Sequence, residues 1–109
     1  MLFDVRTLQR DGWTVVTVVG DVDLANLPAF KQHADAVTGE RIALDLAGVD
    51  HLDPSTLGVV HALHLRARRR GAPFVVICPP GRPRELLRET GVDRVVDVVE
   101  TIEALAQSS

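Results

Sequence analysis

The sequence predicts an α/β fold. One domain spans residues 1–109, with a mixed sheet of four or five strands and about four helices packed mainly on one face. Three observations predict it. Asp11-Gly12 separates two strand-like runs, and both residues tolerate the positive φ of a two-residue hairpin turn, so the sheet opens with an antiparallel pair. Beyond the hairpin, strand-like and helix-like stretches alternate, which implies right-handed crossovers and parallel pairing. A chain of 109 residues, 46% apolar and 25% charged, buries a core without staples.

The elements follow in order. Residues 2–9 alternate weakly, with Phe3, Val5 and Thr7 on one side. Residues 13–19 are dense in Val and Thr and form the second strand, which Gly20-Asp21-Val22-Asp23 is expected to end. Leu27, Phe30, Ala34 and Val37 recur at helical spacing; Asn26 is the expected cap, and Pro28 is tolerable because it lies in the first turn. Thr38-Gly39 ends that helix. Residues 42–46 form a short apolar third strand covered on both faces. The second helix is expected over 54–70, closed by Gly71, and the fourth strand over 73–78. A short helix over 84–90 turns Leu86 and Leu87 inward and stops at Gly91. A fifth strand is expected at 95–98, then a last helix capped by Thr101 and carrying Ile102, Leu105 and Ala106. The tail Gln107-Ser108-Ser109 is expected to fray.

Composition narrows the function classes. The net charge is −3, and the basic helix end at Arg66, Arg68, Arg69 and Arg70 has no accompanying aromatic, which argues against a nucleic-acid surface. Cys78 stands alone, which excludes an internal disulfide and a thiolate metal site and fits a cytosolic setting. Residues 1–6 lack the basic start and apolar run of a signal peptide. Apolar runs fall far short of the ~20 residues needed to cross a bilayer, so direct membrane insertion is not expected. His61 and His64 share a helix edge, but no carboxylate on that stripe completes a metal set. No motif calls for a cofactor. A catalytic triad on Ser55 lacks the Gly-x-Ser-x-Gly elbow and an oxyanion loop.

The junction between the third strand and second helix carries the most specific chemistry. Asp53 is placed as N-cap, Pro54 at N1, Ser55 at N2 and Thr56 at N3. At about 100° per residue, Val59, Val60, Leu63 and Ala67 form one apolar arc, and Thr56 falls inside it. Ser55 falls nearly opposite, in line with Ala62, Arg66 and Arg69. Ser55 is thus expected to be exposed and Thr56 partly buried. A phosphate on Ser55 would meet free N–H groups and the positive helix end, yet would add about −1.5 to −2 charge beside Asp53. An apolar partner contact that accepts neutral Ser55 would reject that dianion.

Three stretches carry a resemblance: Gly20-Asp21-Val22-Asp23-Leu24, Ile42-Ala43-Leu44-Asp45-Leu46-Ala47-Gly48-Val49, and Asp53-Pro54-Ser55-Thr56-Leu57-Gly58-Val59. Together, in register, they resemble the STAS domain, and more narrowly the bacterial anti-sigma factor antagonists. Leu86-Leu87-Arg88-Glu89-Thr90-Gly91-Val92 is similar to that family's final-helix region. The resemblance implies a regulator without catalytic activity. Its expected partners are an anti-sigma factor that is also a serine kinase of the histidine-kinase-like ATPase type, and a PP2C-type serine phosphatase. Binding would release a sigma factor, and phosphorylation would break the complex. Matched residue by residue, the phosphoacceptor is Ser55, with Thr56 as a secondary acceptor. The implied partner contacts are Asp21, Asp23, Asp53, Pro54, Ser55, Leu57 and Gly58. Pro54 stands where the family has a first hydroxyl, and Thr56 where it has glycine. The alternative is a STAS scaffold or transporter-associated module that is never phosphorylated.

Overall fold

The computed structural model describes residues 2–107, so the expected fraying of Ser108 and Ser109 lies outside the described residues. Strand β1 (Phe3–Arg10) turns at Asp11-Gly12 into β2 (Trp13–Val22), with φ 52° and 83° at the turn. The pair is antiparallel, running from Arg10 opposite Trp13 to Phe3 opposite Gly20. Then come α1 (Leu27–Ala36), β3 (Ile42–Leu52), a 3₁₀ turn (Pro54–Thr56), α2 (Leu57–Arg69) and β4 (Phe74–Ile77). The chain ends with α3 (Arg82–Glu89), a 3₁₀ turn (Val92–Arg94), β5 (Asp97–Val99) and a 3₁₀ helix (Ile102–Gln107).

The five strands lie in sequence order, and β2 to β5 are parallel neighbours. Each crossover therefore steps the same way across the sheet. Right-handed connections then place α1, α2 and α3 on one face. Phe30 and Ala34 of α1, Val60, Leu63 and Ala67 of α2, and Leu87 of α3 share a core with Val16, Val18, Leu44 and Val76 of the sheet. The opposite face is smaller. There Trp13, Val15, Ala43, Val75 and Ile77 pack under Leu105 and Ile102 of the last helix. Trp13 Nε1 donates to the Leu105 carbonyl at 3.1 Å, and the Arg41 guanidinium lies 4.8 Å from the ring centroid. The one-sided helical layer holds for the α-helices, while the final 3₁₀ helix covers the other side.

Several boundaries differ from expectation. Gly20 does not end β2, which continues to Val22. Register shifts between Thr17 and Val19 and between Gly20 and Asp21 absorb the irregular residues. Gly20 sits at φ 95°, and a Cβ there would stand 1.9 Å from the Leu2 carbonyl oxygen. Glycine here permits close strand approach. Likewise β3 runs past 46 to Leu52, because Gly48 and Asp50 are exposed and cost no core contact. Asn26 does not cap α1 with its side chain, which donates to the Asp21 carbonyl at 2.8 Å. Asp23 takes over: its Oδ1 accepts the Asn26 amide at 3.0 Å. Gly71 closes α2 as expected, at φ 67°, with the Gly71 amide on the Arg68 carbonyl and the Ala72 amide on the Ala67 carbonyl. The fifth strand falls at Asp97–Val99, because Val95 and Val96 donate back to the Val92 carbonyl and finish the preceding turn.

Candidate functional site

Strands β2 and β3 end side by side. Asp21 pairs with His51 and Val22 with Leu52, and the Asp53 amide donates to the Val22 carbonyl at 2.9 Å. This last bond fixes the point where the chain leaves the sheet. The loop carrying Asp21 and Asp23 and the helix start carrying Asp53 and Ser55 therefore share one end of the sheet. Ligand sites favour this end, beyond the carboxyl termini of parallel strands.

Asp53 is extended, with φ −68° and ψ 139°, and does two jobs. Its Oδ1 accepts the Ser55 amide at 2.9 Å. Its carbonyl accepts the Thr56 amide at 2.9 Å and the Thr56 hydroxyl at 2.6 Å. The bond from the Ser55 amide, then that from the Ser55 side chain, hold the Asp53 carboxyl below the usual carboxylate range. The helix begins with one 3₁₀ turn because Pro54 has no amide to donate and the Thr56 amide reaches back three residues to Asp53.

The two hydroxyls separate as the helical phase predicts. Thr56 is fully buried and Ser55 is exposed. Ser55 stands at one end of a groove of about 280 Å³ between α1 and α2, whose walls include Leu27, Lys31, Gly58, Ala62 and Arg66. Gly58 opens onto free space: beyond its chain neighbours and the backbone of its own helix, no atom lies within 4 Å of where its Cβ would be. Pro54 faces the other way, into a depression shared with His51, Arg82 and Glu85. Leu57 is half-buried against the main core. Asp21, Asp23, Asp53, Ser55 and Gly58 thus gather at one end, while Pro54 turns toward α3 and Leu57 inward.

Arg66 lines the same groove, in a tie between helices that sequence reasoning did not foresee. Its Nη1 donates to the Ala34 carbonyl and its Nη2 to the Val37 carbonyl, both at 2.7 Å. It ties α2 to the open end of α1 and bounds the groove that ends at Ser55. Its place on the Ser55 line was legible in the wheel; its acceptors, some thirty residues away, were not.

Chemically, the site offers a hydroxyl without a partner to activate it. No histidine hydrogen-bonds Ser55 among the described residues, and Asp53, with its lowered pKa, is a poor base near neutral pH. His61 and His64 rings stand 6.4 Å apart, and among the described residues no group of three or more His, Cys, Asp or Glu could hold a metal ion.

The protein family described as Mlab, STAS domain matches residues 6–100. The chain belongs to the STAS-domain family. Solved STAS-fold structures agree. An anti-sigma factor antagonist from Mycobacterium paratuberculosis superposes with a TM-score of 0.91 at 23% identity, covering 98% of this chain and 93% of that one. The phosphorylated form of the Bacillus cell fate determinant SpoIIAA matches with a TM-score of 0.72 at 12% identity, over 99% and 100%. A serine-to-glutamate variant of RsbS from Moorella thermoacetica matches with a TM-score of 0.70 at 22% identity, over 91% and 88%. At these identities the likeness establishes the STAS fold.

Proposed function

We propose that this STAS domain is an anti-sigma factor antagonist, switched off by phosphorylation of Ser55. It acts in the cytoplasm without catalytic activity of its own. The observation that carries the reading is the contrast at the start of α2. Ser55 lies exposed at the mouth of the groove, whereas the neighbouring hydroxyl, Thr56, is sealed in the core. Burial of Thr56 favours Ser55 over Thr56 as the acceptor in the folded protein. Support also comes from fold neighbours described as anti-sigma factor antagonists, one of them solved in phosphorylated form.

In this reading, the surface around Asp21, Asp23, Asp53, Ser55 and Gly58 receives a kinase-type anti-sigma factor. The γ-phosphoryl group passes from ATP to the Ser55 oxygen, and the serine proton leaves to a base supplied by the kinase. The new dianion sits beside the ionised Asp53 and raises the cost of desolvating that surface. The complex separates, and a PP2C-type phosphatase restores the hydroxyl. The test incubates the protein with cognate kinase-type anti-sigma factors and Mg-ATP, then maps phosphate by mass spectrometry. Phosphate on Ser55, and loss of binding in Ser55→Asp with the fold intact, are expected. Absence of modification by every such kinase overturns the switch.

One observation favours a second reading, a docking module that is never phosphorylated. Pro54 precedes Ser55, and the Ser55 amide is held by Asp53, so the segment is stiff where a kinase would take an extended substrate. In that case Ser55→Ala binds its partner as the parent does, and no phosphate is found in cells.

A further inference from the structure

The first strand forms an edge of the sheet, with β2 on one side and, among the described residues, no strand on the other. In a two-residue hairpin the closing pair, here Arg10 and Trp13, exchanges main-chain hydrogen bonds. Arg10, Leu8, Arg6 and Asp4 therefore direct their main-chain groups at β2. Leu2 continues that phase, its carbonyl accepting the Asp21 amide at 3.0 Å. Phe3, Val5, Thr7 and Gln9 turn their N–H and C=O groups to the open edge. Natural proteins usually protect such an edge with charge, a bulge or a covering segment. Here the edge is eight residues long; one ion pair lies wholly within it, Arg6 Nε to Asp4 Oδ2 at 2.6 Å, and at its end Arg10 reaches Asp11 at 3.6 Å and Glu103 at 3.7 Å.

The side chains form a palindrome of chemistry about Val5. Leu2, Asp4, Arg6 and Leu8 all project from the face away from the α-helices, since Phe3 and Val5 pack on the helical core and Thr7 contacts His33 of α1. Leu2 and Leu8 are among the exposed large apolar side chains, at 87% and 40%. We propose that the open edge of β1 pairs with β1 of a second copy, antiparallel and centred on Val5. In that register Val5 meets Val5 of the other copy, Asp4 meets Arg6, and Leu2 meets Leu8. The Val5 pair lies on the two-fold axis, and each of the other two relations occurs twice across it. Two internal ion pairs become a four-membered ring of alternating charge, and four exposed leucines are covered in cross-strand pairs. The phase is right as well: Val5, Phe3 and Thr7 are the residues whose main-chain groups face outward.

Other registers lose this match. Centring on Thr7 sets Arg6 against Leu8 and leaves Leu2 opposite the hairpin turn. A parallel pairing in register sets Asp4 against Asp4 and Arg6 against Arg6. The self-complementary pattern is the reason to assign a second copy rather than a foreign strand. No residue of β1 lines the groove at Ser55, so the pairing stands independently of the proposed function and leaves that groove open.

Sedimentation velocity across a dilution series tests the idea. The parent protein should associate reversibly to a dimer. Arg6→Asp should weaken association at least about tenfold, because it places four acids in the ring. The double variant Asp4→Arg/Arg6→Asp should restore it, since the pattern is inverted but kept. Thr7→Pro should also yield a monomer while keeping native circular dichroism, because the lost N–H serves no bond within the sheet. For the register, Leu2→Cys protein mixed with Leu8→Cys protein should form a disulfide-linked heterodimer on mild oxidation. Cys78 is buried and does not interfere. A parent that stays monomeric throughout, an Arg6→Asp variant that associates as the parent does, or efficient cross-linking of Leu8→Cys protein by itself overturns the proposal.

Discussion

Thr56 shows how one side chain serves structure while its neighbour serves the surface. Its hydroxyl donates to the Asp53 carbonyl within a fully buried setting. Thr56→Val keeps the shape and removes the bond, so chemical denaturation should show a loss of about 1 kcal/mol. If Ser55 is phosphorylated as proposed, that modification should be unchanged in the variant. Asp45 offers a second test, on the opposite side of the sheet. Burial raises its carboxyl pKa, the Ala47 amide lowers it in part, and the Glu103 carboxylate raises it again. The folded chain thus holds this proton to a higher pH than the unfolded chain does. Stability from this group is complete below the ordinary carboxylate range and is lost as pH rises through the raised value. Asp45→Asn should therefore be more stable than the parent at neutral pH, with the gap closing on acidification. A pH series of urea unfolding midpoints checks this; a gap that widens toward acid contradicts it.

At the scale of elements, the contact between α1 and α2 rests on Arg66. Two charge-assisted bonds reach the end of α1: one adds to the Val37 amide on the Ala34 carbonyl, and the other takes the Val37 carbonyl beyond the last helical turn. Arg66→Met retains much of the apolar stem and loses both bonds. We expect about 2 kcal/mol of destabilisation, and faster amide exchange in the last turn of α1 than elsewhere. The same elements show what the sequence could reveal. The hairpin, the order of strands and helices, and the burial of Val59, Val60, Leu63 and Ala67 follow from local turn chemistry and periodicity. The far ends of β2 and β3 did not, because Gly20 read as a breaker and the continuous apolar run of β3 stops at Leu46. Asn26 looked like a cap from its residue type, but Asp23 was better placed to receive the amide.

For the whole molecule, the monotonic strand order explains why the three α-helices share one face and why the start of α2 emerges beside the end of β2. That much of the candidate site was legible: the phase of a helix needs only its own sequence, and it separated Ser55 from Thr56. The groove, the Arg66 clamp and the placement of Pro54 toward α3 depend on contacts between distant segments, which leave no local signature. If the proposed switch holds, placing a negative charge at Ser55 with Ser55→Asp should lower partner affinity with little effect on folding stability, since the side chain is exposed.

The bond between Trp13 and the Leu105 carbonyl spans 92 residues of sequence. Every strand otherwise pairs with its neighbour in the chain, so the sheet can assemble in the order of synthesis. The indole can be sealed only after residues 102–107 have left the ribosome. Trp13 is the one tryptophan of the sequence, which makes its emission a built-in clock for the docking of that segment. In stopped-flow refolding, the final blue shift should lag the gain of far-ultraviolet ellipticity. A chain cut before Ile102 should gain the ellipticity and never show the shift; a truncated chain with full native emission would refute this order of events.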